Sequence, residues 1–141
     1  MKVKIKKINP EAKLPSYAHP GDAGMDLYAI KDITIRPDEN VRVGTGVAVE
    51  IPDGYVGLIW DKSGLSNNHG LKTLGGVIDS GYRGEVIVGL INLSKKEYTV
   101  EKHHKVAQML IQKVEYPIIE EVEKLPGTSR GEGGFGSTGK H

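Results

Sequence analysis

The strongest pattern in the chain is an alternation of β-branched residues: Val41, Val43, Thr45, Val47, Val49 and Ile51 occupy every second position. Period two over eleven residues predicts a strand with one buried face. Pro52-Asp53-Gly54 closes it as a turn, because Pro presets φ and Gly accepts a positive one. Tyr55–Trp60 then returns as the next strand. Shorter alternations flank this pair. Val3 and Ile5 alternate with lysines. Met25, Leu27 and Ala29 share one strand face, and Asp26 and Tyr28 share the other. Ile33 and Ile35 continue until Arg36-Pro37-Asp38-Glu39-Asn40 turns the chain. Tyr98 and Val100 predict a short strand, Glu101–His104 a turn, and Val106–Val114 a longer strand carrying Gln108. Ile118, Ile119 and Val122 form a last apolar strip before Leu125-Pro126.

Two segments break the pattern. In Asp61–Gly70, Ser63 is placed to N-cap a single helical turn and Gly70 to end it. Free N–H groups beside Lys62 would suit an anion, most usefully phosphate, although a capped turn with a solvated lysine reads equally well. In Leu74–Val86, Val77-Ile78 and Val86–Ile91 favour strands, and Ser80-Gly81 favours a tight turn. This reads as a hairpin with Asp79 and Tyr82 at its bend. The glycines at 75, 76, 81 and 84 admit a close approach to the backbone.

Composition sets the bounds. The chain has 141 residues, enough for one domain with a core. Charged residues are 26% and the net charge is +1, which favours neither a nucleic-acid binder nor a membrane-surface protein. There are no cysteines, so disulfides, Cys-ligated zinc and thiol catalysis are excluded. No apolar run approaches the ~20 residues of a membrane span, and the N-terminus lacks a signal-peptide core, so a soluble cytoplasmic protein is expected. Nineteen glycines and seven prolines among short alternations point to an all-β fold. His103 and His104 have no partner at a metal-ligand spacing.

The tail from Gly127 to His141 holds six glycines and cannot build a core. It nevertheless contains Phe135, the sole phenylalanine. A lid explains this placement: Phe135 stacks on a flat ring while Arg130, Ser137 and Thr138 meet phosphates. A P-loop is rejected, because His141 stands where Ser or Thr is needed and no strand precedes the motif.

Five ordered segments resemble the motifs of the trimeric dUTP pyrophosphatases, the dUTPases. They are Asp22-Ala-Gly-Met-Asp26-Leu, Lys62-Ser-Gly-Leu, Gly76-Val-Ile-Asp-Ser-Gly-Tyr-Arg-Gly84, Val106-Ala-Gln108 and Arg130-Gly-Glu-Gly-Gly-Phe-Gly-Ser-Thr-Gly139. The resemblance implies a single jelly-roll-like β-barrel domain over residues 1–126, with one short helix after the second motif. Residues 127–141 would form a flexible active-site lid. It also implies a homotrimer with interfacial sites and hydrolysis of dUTP to dUMP and pyrophosphate, which limits uracil incorporation into DNA and supplies dUMP for thymidylate synthesis. Asp79 would be the general base. Lys62, Ser63, Gly64 and Gln108 would meet the phosphates, and Gly76, Val77 and Ile78 would receive uracil through the backbone. Tyr82 would lie against the deoxyribose, and Arg130, Phe135, Gly136, Ser137 and Thr138 would close over the nucleotide. Mg²⁺ would be held mainly by the triphosphate and water, with no direct protein ligand, and Asp26 would act structurally or beyond the metal's own ligands.

The chain departs from the family pattern twice. Asp61-Lys62 stands for the usual Pro-Arg, and His103-His104-Lys105 for Gly, an acid and Arg. Lysine keeps the charge but loses the planar fork, and if the family arginine pairs with the first-motif aspartate, Lys105 would replace it as the partner of Asp26. Two rivals remain. The dCTP deaminases, of the same fold, need a glutamate where this chain has Gly89. A nucleotide-sensing regulator would bind dUTP with little turnover.

Overall fold

Alternating burial turns these segments into sheets. The computed structural model describes residues 1–136. Along them run β1 (Lys4–Lys7), β2 (Met25–Tyr28), β3 (Ile33–Ile35), β4 (Asn40–Glu50), β5 (Tyr55–Trp60), α1 (Ser63–His69), β6 (Leu71–Leu74), β7 (Val77–Ile78), β8 (Glu85–Asn92), β9 (Tyr98–Val100) and β10 (Lys105–Lys113). One four-stranded sheet has the order β1-β4-β8-β6, a second has β2-β10-β5-β7, and β3 pairs with β9. All pairings are antiparallel. The expected all-β class with one short helix is therefore the observed one.

A single core joins the sheets. Val43, Val49, Leu71, Val86, Val88 and Leu90 come from the first, and Met25, Leu27, Ile59, Val106, Ala107 and Met109 from the second. Ile35 and Val100 close it from the small sheet. The period-two face of β4 is the buried one, as its alternation predicts: Val43, Thr45, Val47 and Val49 are all inside. Thr45 is accommodated by donating its hydroxyl to Val86 O at 2.6 Å. The turns predicted at 36–39 and 52–55 form, with Glu39 N donating to Arg36 O and Tyr55 N to Pro52 O.

Two expectations change. β7 does not pair with β8: it joins β5 in the second sheet, while β8 pairs with β4 and β6 in the first. The hairpin strands are thus β6 and β8, and their long tip reaches across to the other sheet. Ser63 is the first residue of α1, not its cap; Lys62 holds the cap position with extended backbone and no side-chain cap bond. Gly70 ends the helix in the left-handed region as expected. The strip at Ile118 and Ile119 forms no strand and is 96% and 95% exposed. Its apolar character finds no partner among the described residues.

Asn92 ties the end of β8 to its surroundings. Fully buried, it donates Nδ2 to Ile35 O and Lys96 O, and its Oδ1 accepts from Ser94 N and Ser94 Oγ. Asn92→Ala strands the buried Ile35 O, so we expect a loss on the order of 2 kcal/mol in chemical unfolding. A loss below about 1 kcal/mol would mean that the network is redundant.

Candidate active site

The tip of the β6–β8 excursion is held by local geometry. Tyr82 N donates to Asp79 O at 3.1 Å, closing a turn that projects the Asp79 carboxylate outward. The Tyr82 hydroxyl donates to Glu85 O at 2.7 Å, so the ring is anchored at its far end. Ile59 N donates to Gly76 O at 2.8 Å and starts the β5–β7 pairing. Gly76 takes φ 120°, and a Cβ there would meet Ile59 O at 2.8 Å, so only glycine lets the tip lie this close to β5. Val77, Ile78, Asp79 and Tyr82 then line one cleft of about 190 Å³, together with Arg42, Glu85 and Ile87. Arg42 and Glu85 were not anticipated. Arg42 sits at a polar position of the β4 alternation, and nothing local reveals that the tip folds over that face.

A second cleft, of about 440 Å³, gathers Ser63 and Gln108 with Ala23, Trp60, Asp61, Ser66, Asn67 and Leu110. Gln108 lies opposite Trp60 in the β10–β5 ladder and donates Nε2 to Asp61 O at 2.9 Å. Gly24 makes room for it: a Cβ there would come within 2.5 Å of Gln108 Oε1. Asp61 is itself anchored, accepting from Thr73 N at 2.7 Å and from Lys72 Nζ at 2.8 Å. Burial pushes the Asp61 carboxyl up, but Lys72 and then the Thr73 N–H outweigh it and hold it below the usual range.

Lys62 and Gly64 face elsewhere. Both line a third cleft, of about 530 Å³, with Tyr28, His69, His104 and Lys105 among its walls. Behind it lies Asp26, 1% exposed. Lys62 Nζ stands 2.7 Å from Asp26 Oδ1 and Lys105 Nζ stands 3.2 Å from Oδ2. Each carboxylate oxygen thus has one ammonium group against it. Burial pushes this carboxyl up, and Lys62 and Lys105 more than offset it, leaving it below the ordinary range. The pairing of Lys105 with Asp26 matches the sequence expectation; that of Lys62 was not foreseen.

The tail residues stand apart. Arg130 Nε donates to Gly133 O at 2.6 Å and Gly133 N donates to Arg130 O at 3.1 Å, a turn folded on itself. Phe135 and Gly136 are exposed, and Ser137 and Thr138 lie outside the described residues. Among the described residues the protein therefore groups Val77, Ile78, Asp79 and Tyr82 in one cleft and Ser63 and Gln108 in another, on opposite flanks of β5, and joins neither to residues 127–136. Among the described residues no three or more His, Asp or Glu side chains form a metal-binding group, and both Asp26 oxygens already face ammonium groups. No helix among the described residues is long and apolar enough to cross a membrane.

The fold thus exposes a carboxylate and a ring on a glycine-bounded tip, with a hydroxyl and an amide in a separate cleft across β5. A family sequence model described as dUTPase matches residues 10–139. The chain belongs to the dUTPase family, a family of hydrolases. It is 45% identical over 141 residues to the deoxyuridine 5'-triphosphate nucleotidohydrolase of Clostridium kluyveri, covering 99% of each chain. It is 50% identical over 139 residues to that of Alkaliphilus metalliredigens, covering 97% of this chain and 96% of the relative. Among solved structures, a mutant of the Staphylococcus bacteriophage 80alpha dUTPase with dUpNHpp superposes with a TM-score of 0.93 at 29% identity, covering 99% of both chains. A mutant dUTPase from phage phi11 of S. aureus, described with a structural Mg(II) ion, gives 0.82 at 26% identity over 88% of this chain and 98% of that one.

Asp26 and Asp61 both have lowered carboxyl pKa values in the folded protein. Their contribution to stability is complete above the unfolded value, about 3.9, and is lost as pH falls through the folded one. The thermal midpoint should thus hold steady down to about pH 4 and drop below it. In Asp26→Asn that drop should be shallower; an unchanged acid profile would show that Asp26 carries none of it.

Proposed function

We propose that this protein hydrolyses dUTP to dUMP and pyrophosphate, with Asp79 as general base. The observation that carries the reading is the tip at 76–82, where an outward carboxylate and an anchored tyrosine ring share a cleft with the backbone of Val77 and Ile78. In this reading uracil meets the backbone of Gly76, Val77 and Ile78. Tyr82 lies against the deoxyribose and leaves no room for a 2′-hydroxyl. Ser63 and Gln108 receive the phosphate chain, whereas Gly64 lines the cleft on the Lys62 side. Arg130, Phe135, Gly136, Ser137 and Thr138 close over the nucleotide and exclude water once it is bound.

Asp79 accepts a proton from a water as that water's oxygen bonds to the α-phosphorus. The bond from the α-phosphorus to the oxygen bridging to the β-phosphate breaks, and pyrophosphate leaves with the electron pair. A carboxylate fixed by a turn is suited to this, because positioning a base is worth typically ~10²–10⁴-fold in rate. Mg²⁺ brought with the substrate would supply charge neutralisation of the polyanion. Arg130 adds a cation from the tail.

The separation of the Asp79 cleft from the Ser63–Gln108 cleft on one protomer supports an interfacial site in a homotrimer, where one subunit's tip meets another's phosphate groups. The cellular consequence we infer is removal of dUTP before it enters DNA, with dUMP supplied for thymidylate synthesis, in the cytoplasm.

Pyrophosphate release with Mg²⁺, compared across dUTP, UTP, dTTP and dCTP, tests this. Turnover should be confined to dUTP and fall by ~10²–10⁴-fold in Asp79→Asn. Wild type and Asp79→Asn turning over dUTP equally would remove Asp79 as the base, and ammonia released from dCTP would favour a deaminase.

A further inference from the structure

We infer that Lys62 serves this site as a positioning residue, not as a phosphate ligand: with Lys105 it clamps the buried Asp26 carboxylate and so fixes the loop carrying Ser63 against the strand carrying Gln108. This rests on the reading of the reaction given above. Residue type alone puts Lys62 beside the phosphates, because it directly precedes Ser63. Its geometry does not. The ammonium group lies 2.7 Å from Asp26 Oδ1. Lys62 is also absent from the walls of the cleft that holds Ser63 and Gln108, and lines the separate one with Tyr28 and Lys105.

Three segments meet at this carboxylate. Asp26 belongs to β2, Lys62 caps α1 directly before Ser63, and Lys105 opens β10 three residues before Gln108. Each lysine takes a different oxygen. A carboxylate this deeply buried is costly to leave charged without a partner, so the two ammonium groups and the acid hold one another in place. The neighbouring departure from the family pattern acts on the same loop from the other side. Asp61 is fixed to β6 through Lys72 and Thr73 N, and its carbonyl receives Gln108 Nε2. Residues 61 and 62 thus pin the entrance of α1 to both sheets, while Ser63 is left free to face the cleft.

The chemistry of lysine makes the sharing possible. An ammonium group is a compact point charge, and two of them can each face one oxygen of a single carboxylate.

The experiment is steady-state dUTP hydrolysis with Mg²⁺ by the full-length protein and its Lys62→Met, Lys62→Arg, Asp26→Asn and Lys62→Met/Asp26→Asn variants, with thermal unfolding of each without ligand. For a positioning role, Lys62→Met lowers kcat by roughly 10–100-fold, the scale of a small misplacement of reacting groups, while KM moves less than about threefold. Lys62→Arg, which keeps the charge, recovers most of kcat. In the Asp26→Asn background Lys62→Met adds little, because the partner through which it acts is gone. Lys105→Met, altering the other arm of the clamp, gives the same split between kcat and KM and stands in if Asp26→Asn does not fold.

Three results would overturn the inference. One is a rise in KM larger than the loss of kcat. Another is a Lys62→Met loss undiminished in the Asp26→Asn background. The third is a fall in unfolding temperature with kcat and KM unchanged, which would leave Lys62 merely structural. A wild-type protein inert toward dUTP defeats the reading of the reaction itself, and is told apart from these because the wild type is measured in the same series.

Discussion

The structure around the proposed site depends on one buried negative charge. Asp26 sits in the wall of a β-sheet, almost wholly removed from water, and an ionised carboxylate there is tolerable only with cations against it. The two that meet this need come from the helix entrance and from the start of β10. Satisfying one electrostatic demand therefore also specifies where two loops lie. The main chain around Gln108 follows, since its amide closes onto the carbonyl of Asp61, the residue next to Lys62.

A second constraint governs the tip. β6 and β8 pair as hairpin strands in one sheet, yet the segment between them pairs with β5 in the other. A loop hydrogen-bonded at its root to both layers has little freedom to swing. The Asp79 carboxylate thereby inherits the rigidity of the core, although it is itself exposed. This is the condition a general base needs: a fixed position combined with access to water.

How far all this can be read from the sequence depends on the range of the interaction. Burial of one face imposes period two, so β4, its turn and most other strands are legible. Gly70 is legible as a helix stop for a local reason, its positive φ. Strand partners are not, because Val77-Ile78 carries no mark saying which sheet it joins. The same holds for charge. A lysine before a serine at a helix start looks like a phosphate ligand, and only the fold reveals that a carboxylate from β2 lies closer. The pairing of Lys105 with Asp26 was legible through the way the chain departs from its family's pattern. Ile118 and Ile119 mark the opposite limit: apolar residues announce that something should cover them without saying what.

The place of β10 in the second sheet has a consequence for synthesis. It lies between β2 and β5, yet it is the last strand along the described chain. As the polypeptide leaves the ribosome, β2 and β5 are complete some fifty residues or more before the strand that joins them has emerged. Until then each presents an unpaired edge beside an unfinished core, the kind of surface on which nascent chains associate wrongly. The first sheet is complete in sequence by Asn92, but the one that bears Asp26, Gln108 and the root of the tip closes only once residues 105–113 are available.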